Sequence, residues 1–87
     1  MVDRETAISI LDEILDEREN QDRQWGGPEH DDKHTPLDWC VFIERQMRIA
    51  TNAEAMAPWI DRRERFLKIA ALALAAVESG DRVLGLP

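Results

Sequence analysis

Tyrosine is absent from this 87-residue chain, phenylalanine occurs twice and cysteine once. The single thiol, Cys40, excludes a disulfide within the chain and fits a reducing compartment. No apolar run reaches the roughly 20 residues that a membrane-spanning helix needs. The longest, Phe66 to Val77, holds Lys68 and stops after 12 residues. The opening Met-Val-Asp-Arg-Glu-Thr lacks the basic start and apolar stretch of a secretion signal. A soluble, cytoplasmic protein of one domain is therefore expected. Strand signals are equally scarce, and no internal repeat or low-complexity tract is visible.

What is present is acid. Lys and Arg number 11 against 18 Asp and Glu, for a net charge of −7. The excess sits entirely in residues 1–35, which carry 11 acids and 4 bases, while residues 36–87 are balanced at 7 and 7. Such a chain is repelled by a phosphate backbone, which disfavours general nucleic-acid binding. A basic protein surface or a metal-bridged small anion remains compatible as a partner. Hydrophobic residues make up 44%, enough for a globular domain.

Helical spacing appears three times. In the first segment Ala7, Leu11 and Ile14, with Ile8, Ile10 and Leu15, form an apolar stripe opposite Asp12, Glu13, Asp16 and Glu17. This helix is expected over about 3–24, ended by Gly26-Gly27-Pro28. Residues 26–35 read as an irregular connector pinned by Trp25 and Trp39. Thr35 is a good N-cap, Pro36 suits the first helical position, and Asp38 completes the cap of a second helix over about 36–55. Its stripe is Trp39, Phe42, Ile43, Met47, Ile49 and Ala50. Pro58 opens a third helix expected to close at Gly80, leaving 81–87 as a loosely ordered tail. That third helix is apolar nearly all round, which calls for cover on two sides. The fold class expected is all-α: a three-helix bundle that dimerises through its last helix.

Candidate chemistry is concentrated in two places. The connector holds Glu29, His30, Asp31, Asp32 and His34, whose nitrogens and carboxylates could ligate zinc or manganese. Against that, Gly-Gly-Pro breaks the helix on which two histidines four apart would share a metal, and such side chains also cap turns. The later helices carry Arg45 and Arg48, then Arg62, Arg65 and Lys68, at helical spacing. Glu44 with Arg48, and Asp61 or Glu64 with Arg65 or Lys68, make ordinary surface pairs. The alternative is an anion-binding cleft where Arg45, Arg48, Arg65 and Lys68 hold phosphate-type oxygens. Cys40, one turn into its helix, reads as a buried, inert thiol; only a Cys–His pair with His34 would make it reactive.

Glu17, Arg18, Gln21, Asp22, Trp25, Gly26, His30, Asp31, Asp32, His34 and Trp39, followed by the stretch from Ile69 to Ser79, resemble small phage and prophage proteins. The resemblance covers about residues 10–80. Those proteins in turn resemble the all-α MazG-like nucleotide pyrophosphohydrolases. That resemblance implies a helical oligomer that hydrolyses nucleoside triphosphates to monophosphates with magnesium held by acids on two helices. Four carboxylates, in Glu-Glu-x-x-Glu and Glu-x-x-Asp patterns, would bridge the cations to a triphosphate. This chain departs from the pattern. It offers Glu44-Arg45-Gln46-Met47-Arg48 on one helix, and on the other Arg65 and Lys68 stand where acids belong, with Glu64 beside them. A shifted alignment pairs Asp61 with Glu64 but leaves the first helix without its acids.

Two functions are therefore expected. The first is a non-catalytic, MazG-like phage or prophage accessory protein, with a counter-defence role, that binds a host protein or a nucleotide-type anion through Arg45, Arg48, Arg65 and Lys68. The second is a divergent Mg²⁺- or Mn²⁺-dependent pyrophosphohydrolase that uses Glu44, Glu64 and the His30/Asp31/His34 loop.

Overall fold

The computed structural model describes residues 2–52 and 59–86. All regular structure there is helical: α1 (Arg4–Trp25), α2 (Gly27–Asp31), α3 (Pro36–Asn52) and α4 (Trp59–Leu84). The all-α expectation holds, with three long helices and one short one. Among the described residues, no helix is long and apolar enough to cross a membrane. The expected end of the second long helix beyond residue 52, the Pro58 start of the last one and the Asp61 side chain lie outside the described residues.

Local sequence sets the helix ends. Asp3 caps α1 by accepting from the Glu5 N–H at 3.2 Å and the Thr6 hydroxyl at 2.8 Å. Gly26, at φ 102°, adopts the left-handed conformation that stops the helix, and its N–H donates to the Asp22 carbonyl. Thr35 and Asp38 form the reciprocal box ahead of α3. The Thr35 N–H donates to Asp38 Oδ2 at 2.9 Å, and the Asp38 N–H to Thr35 Oγ1 at 3.2 Å.

Two expectations need correction. The connector is not wholly irregular, because Pro28 sits in the first turn of the short α2, whose Asp31 is buried against Arg18. Gly80 does not end α4, which runs on to Leu84 and closes at Gly85, φ 72°. There the Leu86 N–H donates to the Asp81 carbonyl and the Gly85 N–H to the Arg82 carbonyl, a Schellman closure. Residues 81–84 are thus the last turn of the helix rather than a loose tail. Asp32 holds that turn by accepting from Ser79 Oγ at 2.8 Å and from Arg82 Nη2 at 2.8 Å.

Packing centres on α4. Both α1 and α3 lie against it, while among the described residues no Cα of α1 comes within 8 Å of one in α3. Small side chains make the close approach possible, since Ala71 and Ala75 are fully buried and Ser79 nearly so. Among the described residues, Trp39 and Ala50 complete the buried apolar set. The stripe expected to bury α1 is only partly covered: Ile8, Leu11 and Leu15 are exposed, and Ala7 and Ile14 half-buried. Among the described residues α1 packs along its length on α4, with the short α2 against its C-terminal part, so only one edge of its N-terminal half is covered.

A cleft between α1 and α3

Two helices that share a neighbour without coming close to each other leave a groove between them. Here α4 is the floor, α1 and α3 are the walls, and α2 closes one end. The groove encloses about 650 Å³. α1 contributes Glu17, Gln21, Gln24 and Trp25, and α3 contributes Trp39, Phe42, Arg45, Gln46 and Ile49. Arg65, Lys68, Leu72 and Ala75 come from α4. Arg18, His30, Asp31 and His34 complete the closed end.

The cleft has two chemically distinct regions. One is aromatic: the His34 ring meets Trp39 and Phe42 edge-on at 5.6 and 4.9 Å, and His30 at 4.8 Å. Trp39 and Phe42 are also edge-to-face at 5.8 Å, so the cluster is locked in position. Trp25 stands across from it on α1, largely exposed rather than pinned, while Trp39 is buried. His34 Nδ1 lies 3.6 Å from Asp38 Oδ2, and its buried Nε2 has no hydrogen-bond partner among the described residues.

The other region is cationic. Arg65 Nη1 donates to Gln46 Oε1 at 3.2 Å, tying α4 to α3 and fixing the guanidinium. Lys68 reaches across to Glu17, with 3.4 Å to each carboxylate oxygen, and Gln21 Nε2 donates to the same carboxylate at 3.1 Å. Arg45 makes no ion pair among the described residues. Three cations therefore face one carboxylate here. Arg18 adds no free charge, because it is buried among Asp22, Asp31 and Glu78. Burial disfavours its charge, but the three carboxylates outweigh burial and raise its pKa above the ordinary value.

The structure sorts the expected site residues. Arg45, Arg65 and Lys68 come together in the cleft, whereas Arg48 does not line it and donates to Glu44 on the solvent side at 2.8 Å. Glu44 and Glu64 are exposed and outside the cleft. His30, Asp31 and His34 line its closed end, but the Asp31 carboxylate is taken by Arg18 at 2.7 Å. Among the described residues no three His, Cys, Asp or Glu side chains converge as a metal ion requires, so these groups do not fit one. Cys40, expected inside, is exposed. Glu17, Gln21, Gln24 and Gln46 were not singled out as site residues. The available signal was a Glu17, Gln21, Gln24 edge at i, i+4, i+7 within an otherwise acidic helix.

No protein-family model matches the chain, and no curated protein or solved structure matches it either.

Proposed function

We propose that this chain is a non-catalytic binding protein, a phage or prophage accessory protein of MazG-like type, whose cleft takes a nucleotide-type anion. The observation that carries the reading is the convergence of Arg45, Arg65 and Lys68 beside a fixed aromatic cluster in one groove. Guanidinium forks and an ammonium suit phosphate oxygens, and an aromatic wall suits a planar base. The amides of Gln21 and Gln46 supply polar groups for the remainder of the ligand. Both acids lining the cleft already hold a protein cation: Glu17 with Lys68, and Asp31 with Arg18. That favours direct anion capture over a metal-bridged phosphate. The protein acts as a homodimer, and its acidic α1 offers a docking surface for a basic host protein.

Isothermal titration with adenine and guanine nucleotides, in metal-free buffer and with Mg²⁺, tests the cleft. Binding without metal that is lost in Lys68→Glu and Arg65→Glu but retained in Arg48→Glu is the expected result. Binding only with Mg²⁺, accompanied by pyrophosphate release, would overturn it in favour of the hydrolase.

A further inference from the structure

The face of α4 turned away from the cleft carries a heptad seam whose large apolar side chains the rest of the described chain leaves exposed. Positions 59, 63, 66, 70, 73, 77, 80 and 84 alternate in steps of four and three across the whole helix. Trp59, Phe66, Val77 and Leu84 on this seam are 77, 46, 60 and 74% exposed, and Ala73 is exposed too. The rings of Trp59 and Phe66 lie 6.3 Å apart, which confirms that both project from one face.

The seam is self-complementary. Read antiparallel about a two-fold axis between Ala70 and Ala73, it sets Trp59 level with Leu84, Phe66 with Val77, and Ala70 with Ala73. Arg63 falls level with Gly80. Each large side chain meets an apolar partner, the two smallest meet at the axis, and the longest meets the residue with no side chain. Gly80 is otherwise unexplained: it interrupts a helix interior, and a Cβ placed there would meet nothing within 4 Å in this chain. A partner's Arg63 stem would occupy that space, its head held aside by Glu13, with which it pairs here. Asp81, which makes no ion pair among the described residues, borders the same slot and matches its charge.

We infer that α4 pairs antiparallel with α4 of a second copy in this register, an inference that rests on the homodimer reading above. Antiparallel pairing also sets the helix dipoles favourably and brings the arginine-rich end beside the acidic one. The exposed parts of the seam in two copies amount to on the order of 1,000 Å², the size at which a biological interface becomes plausible. The radius of gyration, 14.2 Å, exceeds the about 12 Å of a globule of this length, as an open protomer should.

Two measurements separate the dimer from its register. Sedimentation gives the mass: a dimer that becomes a monomer of unchanged helicity in Ala73→Arg is expected, and a monomeric parent overturns both. A spin label at Val83→Cys in a Cys40→Ser background then reads the register. Level pairing of 83 with 60 separates the two labels by about 35 Å along the axis. A distance under about 15 Å would mean parallel helices. A slip of one heptad would change the separation by about 10 Å, and either result overturns the register while leaving the dimer intact.

Discussion

Arg18 on α1 and Asp31 on α2 form a buried ion pair, Nη2 to Oδ2 at 2.7 Å, with only 8 and 6% of the two residues exposed. The pair fixes α2 against α1 and so sets the closed end of the cleft. Removing Asp31 leaves the buried Arg18 charge short of one of its three carboxylate partners. Asp31→Ala should cost about 2–3 kcal/mol, at or below the low end for a broken buried pair because Arg18 keeps Asp22 and Glu78. In a double-mutant cycle by urea unfolding, Arg18→Met with Asp31→Ala should cost less than the sum of the single changes. Additivity would show that the pair does not act as a unit.

Asp32 makes a pH prediction. Arg82, and after it Ser79, hold the Asp32 carboxyl below its ordinary value of 3.8. A lowered folded-state pKa contributes stability that is complete above the unfolded value and is lost as pH falls through the folded one. Glu13 beside Arg63, Asp38 beside the Thr35 N–H and Asp3 beside Thr6 are lowered too and act with the same sign. Melting temperature should therefore drop as pH falls below about 4. Asp32→Asn should melt lower at neutral pH and show a shallower acid slope. An unchanged slope would remove Asp32 from the acid transition.

Gly80 separates protomer stability from pairing. In the monomeric Ala73→Arg background, Gly80→Ala should raise stability by about 0.5–1 kcal/mol, because alanine is the better helix former and the space is open. In the parent the gain should shrink, since the added methyl enters the slot of the partner's Arg63. Equal gains in both backgrounds, read by thermal unfolding, would place Gly80 outside the interface.

Local signals were legible and long-range ones were not. Thr35 and Asp38 are three residues apart, and their reciprocal cap forms as the pattern indicates. Gly80 misleads because glycine usually stops a helix, whereas here Asp32, about fifty residues away, grips Ser79 and Arg82 and carries the helix onward. The spacing of Arg65 and Lys68 puts both on one edge of a helix, but no periodicity reveals that Lys68 faces Glu17 across 51 positions. Arg45 and Arg48 look equivalent in the sequence. The separation of α1 from α3 decides which of them lines a cleft, and that is a tertiary fact.

The most direct test of the proposed cleft is thermal unfolding of the parent and Lys68→Glu with nucleoside mono-, di- and triphosphates in metal-free buffer. Ligand at ten times its Kd stabilises the folded state by about 1.4 kcal/mol, or roughly 5–10 °C in a domain of this size. The parent should show that shift with at least one nucleotide, and Lys68→Glu should not. No shift in the parent with any nucleotide, or an equal shift in both proteins, would contradict anion capture in the α1–α3 cleft.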